Sequence, residues 1–441
     1  MPMTTTLPAR PARTAPTRGA TTFATLAFLV LFGGDVLRNG TGWWVWGAAC
    51  VAMVVAAVVL VVRHPPRVRT LPRLLVLFLL FAVVSIAWSQ YPAGSAIGIV
   101  LTLMTSVGAL AVTVVASWPT IVTALGRALR IHVVASLLFE VVVGLVVRQP
   151  VCPVYLDCTD RPTAWFWSRD VLFEGGRIQG LQGNSNILAI IALLALIVTA
   201  VQAADRSIGR GTAVVGLVTS LLALALTRSA TVAVVAVAVG LVSLLVVATR
   251  RREPGRRGPV FGVAALVVLA AVTVVVLARG PLLALLGKSG DLTGRTDIWS
   301  AVYDLGVQHP VVGWGWVSYW FPFVEPFTDL AERNGVVYLQ AHDAYLDVWF
   351  QLGWIGLALF GLTIVGVVLR SWWWAVDRRM LSRGVAAPWS ALDLLPLLLV
   401  TALVVHGLTE SRLIVEWGWA TFVVVVLVTR RDPFGWTGHD R

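Results

Sequence analysis

The feature that most constrains this 441-residue chain is the recurrence of apolar runs. Each run is about 20 residues long, which is enough for a helix to cross a bilayer. Hydrophobic residues make up 58% of the chain and charged residues only 13%, whereas soluble domains carry roughly 25% charged residues. Because backbone polar groups inside a bilayer must be paired within the chain, helices are the expected elements. The sequence therefore predicts an all-α polytopic membrane protein.

About twelve segments have the length and apolar content of transmembrane helices. They are 21–35, 43–62, 72–89, 95–117, 131–148, 184–203, 212–226, 229–249, 259–278, 342–369, 389–406 and 415–429. The predicted organisation has five parts. These are a disordered cytoplasmic tail at 1–20, a transmembrane bundle of about nine helices at 21–278 that includes an outside loop at 149–183, a long extracytoplasmic loop with short helices at 279–341, further transmembrane helices at 342–429, and a cytoplasmic tail at 430–441.

The basic residues predict the orientation of the chain. Most of the 34 Lys and Arg residues fall in alternate connections, above all in the segment RRREPGRRG at 250–258. Cytoplasmic loops are enriched in Lys and Arg, so both termini are expected in the cytoplasm. The net charge of +12 is explained in this way without a nucleic-acid partner. Lys288 is the only lysine, a bias that favours a GC-rich bacterial genome and hence the bacterial cytoplasmic membrane.

The outside loop at 149–183 contains two nearby cysteines, Cys152 and Cys158. On the oxidising side of the membrane such a pair favours a local disulfide; the alternative is two free thiols. The sequence has no paired CxxC motifs, no HExxH motif and no Gly-rich phosphate loop. These are the usual signals of zinc and nucleotide sites, so we expect neither a metal nor a cofactor.

Three arginines are predicted at the outside ends of helices: Arg177, Arg228 and Arg295. A guanidinium matches the oxygens of a phosphate in a bidentate way, so these residues are candidate ligands of an anion. Arg228 lies between two apolar runs with almost no loop. Its alternative role is that of an interfacial arginine whose charged end reaches water.

His342 and Asp343 are the candidate catalytic residues, because they are predicted to open a membrane helix after a long outside loop. A neutral imidazole can take a proton from a sugar hydroxyl. Asp343 could orient the imidazole or be the base itself, and a structural role for the histidine is the alternative. His406 and Glu410, at the outside end of a late helix, are weaker candidates.

The outer loop is also rich in aromatic residues, among them Trp314, Trp316 and Trp320. Aromatic rings could form a platform for the sugar rings or the polyprenyl tail of a substrate. The alternative is the aromatic belt that many membrane proteins place at the interface.

The order of these residues resembles that of the O-antigen ligase and O-antigen polymerase superfamily of bacterial envelope glycosyltransferases. That family has a Gly-Arg…Trp element, then His-Pro…Gly-x-Gly, then a histidine, usually an asparagine, and Gly-x-x-Gly. The corresponding residues here are Gly294, Arg295 and Trp299, then His309, Pro310, Gly313 and Gly315, then His342, Asp343, Gly353 and Gly356. Arg228 matches an upstream arginine loosely, and Arg177 with Asn184 and Asn186 is similar to a further part of the pattern. The departure from the family is Asp343 in place of asparagine.

The resemblance implies a GT-C-like fold and a metal-independent, inverting glycosyl transfer on the outer face of the membrane. The donor would be a glycan on undecaprenyl diphosphate, and the acceptor would be a lipid, a wall component or another glycan. The arginines would hold the diphosphate, and His342 or Asp343 would activate the acceptor hydroxyl. Whether the enzyme is a ligase or a polymerase is left open.

Two other classes of function are alternatives. A flippase or transporter of lipid-linked saccharide would show inverted repeats and charges near the middle of the membrane, whereas here the charges cluster at helix ends with the exception of Glu140. A purely structural envelope protein explains the residues of the outer loop least well.

Overall fold

The computed structural model describes residues 18–277, 295–328, 330–333, 336–377, 380–382, 385–386 and 389–431. The tail residues 1–17 and 432–441 lie outside the described residues, as do residue 278 at the end of a predicted helix and residues 279–294 of the predicted outer loop. The helices are α1 (Arg18–Phe32), α2 (Gly34–Thr41), α3 (Trp43–Arg63), α4 (Arg73–Val84), α5 (Pro92–Val115), α6 (Trp118–Val142), α7 (Ser185–Ala204), α8 (Arg210–Thr227), α9 (Ala230–Arg250), α10 (Gly258–Leu277), α11 (Arg295–Gly306), α12 (Ala344–Val376), α13 (Leu395–His406) and α14 (Glu416–Arg431). Two small antiparallel hairpins pair β1 (Glu332–Arg333) with β2 (Val336–Val337) and β3 (Met380–Ser382) with β4 (Val385–Ala386).

Seven of the described helices are long and apolar enough to cross a membrane, and the pair α1–α2, bent by 61°, brings the number to as many as eight. The prediction of a polytopic membrane protein is thus confirmed. Each of the twelve predicted segments overlaps a helix, but several of these helices, such as Arg73–Ala87 and Ala391–His406, are shorter than a full span. Twelve complete spans and a GT-C-like arrangement stay predictions.

Two predicted helix starts were wrong. α6 begins at Trp118 instead of 131, because Ile121, Leu125 and Leu129 form a buried stripe at helical spacing that continues the helix past its polar residues. α12 begins at Ala344, so His342 lies before the helix instead of opening it. α12 is also interrupted at Gly353, whose φ of 62° and ψ of −166° are not helical. The predicted membrane helix 342–369 is therefore broken at this residue.

α7 lies at the centre of the bundle and packs against α6, α8, α9 and α13. It is apolar on all sides, which is the pattern of a helix surrounded by protein. Its N-terminus is fixed by Asn184, whose side chain accepts hydrogen bonds from the backbone amides of Asn186 and Ile187 at 2.9 and 3.3 Å. The first turn of α7 thereby presents Asn186 at a fixed position.

The loop between α6 and α7 is anchored to the bundle. The buried carboxylate of Glu140 accepts hydrogen bonds from the backbone amides of Gln179 and Gly180 at 3.0 and 2.6 Å, and from the Ser168 hydroxyl at 3.0 Å. Cys152 and Cys158 of this loop form a disulfide. Glu140, the exception among charges that otherwise cluster at the ends of the predicted spans, therefore holds the loop that leads to Arg177.

α11 packs on α12, and Ile298 and Val302 of α11 are buried. The chain that follows forms an aromatic cluster, where Trp320 stacks on Phe327 at 5.3 Å between ring centroids. Residues of this cluster fill the space between α11 and the start of α12. The aromatic content of the outer loop thus fixes α11 and, with it, Arg295.

Candidate functional site

A cluster of polar side chains surrounds Glu410, whose side chain is 1% exposed. Its Oε1 accepts a hydrogen bond from Arg295 at 2.8 Å and one from the amide of Asn186 at 3.3 Å. Its Oε2 lies 2.9 Å from Nδ1 of His342 and accepts a hydrogen bond from the amide of Gln340 at 3.2 Å. We call these five residues the Glu410 cluster. It joins four parts of the chain that are distant in sequence.

The charges in the cluster favour an ionised Glu410. Burial alone raises the pKa of this carboxyl group, but the neighbouring charges of His342 and Arg295 and the hydrogen bond from His342 outweigh burial and lower the pKa of Glu410 to about 2. A carboxylate at this position accepts a hydrogen bond from a protonated Nδ1 of the imidazole. The other ring nitrogen, Nε2, then carries the lone pair that can take a proton from a substrate.

The backbone directs His342 toward this carboxylate. Its φ of 53° lies in the left-handed region, which is uncommon for residues other than glycine and is often found at functional sites. Bonds on both sides hold the segment: the amide of Ala341 donates to Asp347 at 3.1 Å, and the amide of Ala344 donates to the carbonyl of Gly407 at 2.8 Å. Asp347 also accepts a hydrogen bond from the hydroxyl of Ser411, the neighbour of Glu410. One buried carboxylate, that of Asp347, therefore fixes both the segment that carries His342 and the segment that carries Glu410.

Asp343 has a different place from the one predicted for a partner of His342. It is the N-cap of α12, and its Oδ1 accepts hydrogen bonds from the amides of Tyr345 and Leu346 at 2.8 and 3.0 Å. Burial raises the pKa of Asp343, while these two bonds act in the opposite direction. Asn and Asp are equally good N-caps, which explains in physical terms why the two residues could replace each other here.

The three predicted arginines are brought to the same end of the bundle. Arg177 donates to the carbonyl of Thr227 and to Oδ1 of Asn186, both at 3.0 Å. Ser229 donates to the same Oδ1 at 2.9 Å. Arg228, exposed and in the left-handed conformation with φ of 47°, therefore lies in a turn that is bonded on both sides to the network.

Asn186 is the link between these groups, since its oxygen accepts from Arg177 and its nitrogen donates to Glu410. Burial, followed by the charge of Arg169, lowers the pKa of Arg177, but a guanidinium stays protonated in proteins. Arg177, Arg228 and Arg295 thus belong to segments linked through Asn186 and Glu410, and their three guanidinium groups outnumber the one cluster carboxylate. Such an excess of positive charge can bind an anion.

The three tryptophans predicted to contact a substrate differ in how far they are buried. Trp316 and Trp320 are fully buried, and Trp316 donates to Thr102 at 3.0 Å inside the bundle. Their rings pack against protein, so they offer no free face for stacking on a sugar. Trp314 is only partly buried and donates to the carbonyl of Leu305 at 2.9 Å. It is the one of the three that keeps some accessible surface.

A second group of charges lies close by, around the short helical turn Ser411–Ile414 that follows Glu410. Arg38 bonds to Glu416 at 2.6 Å and pairs with Asp35, and Arg412 bonds to Glu416 at 2.5 Å. Two cations and two anions balance in this group, so it suits the fixing of the turn better than the binding of an anion. Within the described ranges, no three His, Cys, Asp or Glu side chains are grouped as metal ligands.

Sequence reasoning ranked Glu410 below Asp343 and did not single out Gln340. The one sequence signal for Asn186 was its place in the Arg177…Asn184…Asn186 pattern. Glu410 carries no comparable local signal, because its contact with His342 joins residues 68 positions apart.

Comparison with protein families finds a match to the O-antigen ligase domain over residues 215–361. No match is found among curated proteins. The matched region contains Arg228, Arg295, His342 and Asp343, whereas Asn186 and Glu410 lie outside it. The resemblance drawn from the Gly-Arg…Trp and histidine motifs is thus confirmed, and residues 215–361 of this membrane protein match an O-antigen ligase domain.

Proposed function

We propose that this protein is an inverting glycosyltransferase of the ligase or polymerase type. It would move a glycan from undecaprenyl diphosphate to a hydroxyl group of an acceptor. The observation that carries this proposal is the Glu410 cluster, in which one buried carboxylate holds an imidazole at 2.9 Å and a guanidinium at 2.8 Å. Displacement of a diphosphate by a hydroxyl needs a proton acceptor beside a cationic site. The matched O-antigen ligase domain supports the same class of reaction.

The donor diphosphate would bind to Arg177, Arg228 and Arg295. Planar guanidinium groups donate paired hydrogen bonds to phosphate oxygens, and preorganised cations stabilise the charge that develops on a leaving group. Arg295 is held in place by Glu410, while Arg228 is exposed at the end of α8. The polyprenyl chain would lie along the apolar helices. Energy for the transfer is stored in the sugar–phosphate bond, so no nucleotide is required.

In the chemical step, Nε2 of His342 takes the proton of the acceptor hydroxyl. The acceptor oxygen attacks the anomeric carbon from the side opposite the diphosphate, and the configuration at that carbon inverts. The bond between the anomeric carbon and the phosphate oxygen breaks, and its electron pair leaves with the diphosphate. The imidazolium, paired with Glu410, then releases its proton to solvent. A positioned base of this kind contributes roughly 10²–10⁴-fold to the rate.

Glu410 would act as a positioning residue. It keeps the proton on Nδ1 and stabilises the imidazolium that forms, as the carboxylate does in other carboxylate–histidine pairs. Asp343 would have no proton to transfer, because its side chain caps α12. Trp314 would be the aromatic contact to the acceptor or sugar.

The site is proposed to face the outside of the bacterial cytoplasmic membrane, with both termini in the cytoplasm. The asymmetry of the basic residues supports this orientation. A reporter enzyme fused after Arg441 should be active only when it is of the cytoplasmic type. Activity of a periplasmic reporter there would reverse the proposed orientation.

The test of function uses the purified full-length protein in detergent with a polyprenyl-diphosphate-linked glycan, with and without candidate acceptors. The proposal expects release of free polyprenyl diphosphate in step with glycan transfer. A single addition to each acceptor identifies a ligase, and a ladder of products identifies a polymerase. Movement of the intact lipid across liposomes without release of polyprenyl diphosphate would instead identify a flippase and overturn the proposal.

A further inference from the structure

A cavity of about 360 Å³ lies at the other end of the central helix. It is lined by residues of α6, α8 and the α7–α8 connection, among them Thr123, Arg127, Arg130, Ser207 and Thr212. α7, which separates the two ends, has 20 residues. Because a helix rises about 1.5 Å per residue, the cavity is about 30 Å from Asn186 and separate from the Glu410 cluster.

Arg130 is built into the wall of this cavity. Its NH1 donates to Oε1 of Gln202 at 2.7 Å and to Oγ1 of Thr199 at 3.3 Å. Two glycines make room for its side chain. A Cβ atom at Gly216 would lie 2.8 Å from Cδ of Arg130, and one at Gly126 would lie 3.0 Å from NH1. Helices α6, α7 and α8 thus leave a slot that orients one guanidinium toward the cavity.

The cavity is cationic. Arg127 lies three residues before Arg130 on α6, so the two side chains share a helix face. Among the described residues, no carboxylate forms an ion pair with Arg127 or Arg130. Asp205, at the end of α7, accepts a hydrogen bond from Ser390 at 2.7 Å. The Thr212 hydroxyl adds a neutral donor to the lining, whereas the hydroxyls of Thr123 and Ser207 donate to the carbonyls of Pro119 and Gln202.

Two guanidinium groups with a hydroxyl donor match the oxygens of a phosphate group. The cavity also opens onto an apolar surface. Ile131 lines the cavity itself, and it belongs to a set of side chains on α6 and α8 that are 47–59% exposed: Ile131, Leu138, Val215, Val218 and Leu222. In a bilayer this surface faces acyl chains. A ligand with a phosphate at one end and hydrocarbon at the other would fit both the cationic cavity and the apolar surface beside it.

We propose that this cavity binds the headgroup phosphate of an anionic phospholipid, whose acyl chains lie against α6 and α8. Basic pockets between membrane helices commonly serve this purpose. The site does not depend on the reaction proposed for the Glu410 cluster. Lipid binding here would stabilise the packing of α6, α7 and α8, which meet at Arg130.

The test measures thermal unfolding of the purified full-length protein during titration with phosphatidylglycerol, phosphatidylcholine or inorganic phosphate. Phosphatidylglycerol should raise the unfolding temperature at concentrations where phosphatidylcholine does not. Arg127→Ala should raise the phosphatidylglycerol concentration needed for this stabilisation roughly fivefold, since one basic residue near a membrane surface changes lipid affinity by about that factor. The matched control is Arg256→Ala, because Arg256 is 82% exposed and distant from the cavity in sequence.

Arg130→Gln should abolish the stabilisation by phosphatidylglycerol. If that variant does not fold, Arg127→Ala alone decides whether the cavity binds lipid, because Arg127 is exposed and its replacement leaves the packing intact. Equal stabilisation by phosphatidylglycerol and phosphatidylcholine would overturn the proposal. So would equal stabilisation by inorganic phosphate alone, which would assign the cavity to a soluble anion. An Arg127→Ala variant that responds to phosphatidylglycerol as Arg256→Ala does would remove the cavity from lipid binding.

Discussion

Replacement of Glu410 by Gln should remove catalysis while the shape of the side chain is kept. All four partners of Glu410 present donors: Arg295, Asn186, Gln340 and Nδ1 of His342. A glutamine amide offers one oxygen and one NH2 group. These partners form two pairs, Arg295 with Asn186 at one oxygen and His342 with Gln340 at the other. In Glu410→Gln the NH2 group would face one pair and the remaining oxygen would face the other.

The stable arrangement directs the oxygen of the new amide to the permanently charged Arg295 and its NH2 group to His342. The imidazole then responds by moving its proton from Nδ1 to Nε2. With Nε2 protonated, the nitrogen that faces the acceptor can no longer take a proton. Loss of a positioned base lowers turnover by roughly 10²–10⁴-fold, and this is the decrease in kcat that we expect for Glu410→Gln.

The assay is release of polyprenyl diphosphate by the purified variant, with unfolding temperature measured on the same sample. Glu410→Asp is the matched variant, because it keeps the charge and should recover part of the lost activity. A folded Glu410→Gln protein whose kcat is within threefold of the wild type would refute the proposed control of the His342 tautomer.

Four further expectations follow from the same geometry. His342→Asn should abolish transfer with normal membrane insertion, since Asn tolerates the left-handed backbone but cannot act as a base; transfer by this variant would remove His342 from catalysis. Arg295→Lys should raise KM and lower transfer on the order of tenfold or more, because an ammonium lacks the paired donors of a guanidinium; unchanged kinetics would exclude Arg295 as a diphosphate ligand. Asp343→Asn should keep activity within a few-fold, whereas Asp343→Ala should lower the free energy of unfolding by about 1 kcal/mol through loss of the N-cap; an inactive but folded Asp343→Asn protein would make the aspartate the base. The pKa of Glu410 is depressed to about 2, so the ionised carboxylate stabilises the folded protein above the ordinary glutamate pKa, and this contribution is lost as pH falls toward 2. Chemical unfolding between pH 5 and pH 2.5 should therefore show a steeper loss of stability for the wild type than for Glu410→Gln. Parallel curves for the two proteins would contradict the assigned ionisation.

The apolar runs predicted each of the membrane-length helices among the described residues, because hydrophobicity is a local property of the sequence. The start of α6 was missed where Arg127 and Arg130 interrupt the apolar pattern. Arg130 is accommodated there by Gln202 and two glycines, one of them on a neighbouring helix. Such compensation comes from tertiary packing, and no pattern within α6 reveals it.

The candidate site was predictable to the extent that its residues occur in motifs. His342 and Arg295 were found in this way, but the carboxylate partner of His342 was sought next to it, at Asp343. The structure shows that Asp343 is used by the backbone of α12 and that Glu410 reaches His342 from another segment. Trp316 and Trp320 illustrate a related limit, since an aromatic residue near an interface has the same sequence signature whether it faces a ligand or the core.

The most direct test of the central claim is the position of the donor diphosphate, measured by cryo-electron microscopy of the protein with bound undecaprenyl diphosphate. We expect both phosphates within hydrogen-bonding distance of Arg295 and at least one of Arg177 and Arg228, with Nε2 of His342 on the side from which an acceptor would approach. A diphosphate bound elsewhere, with Arg295 still paired only with Glu410, would contradict the proposed active site.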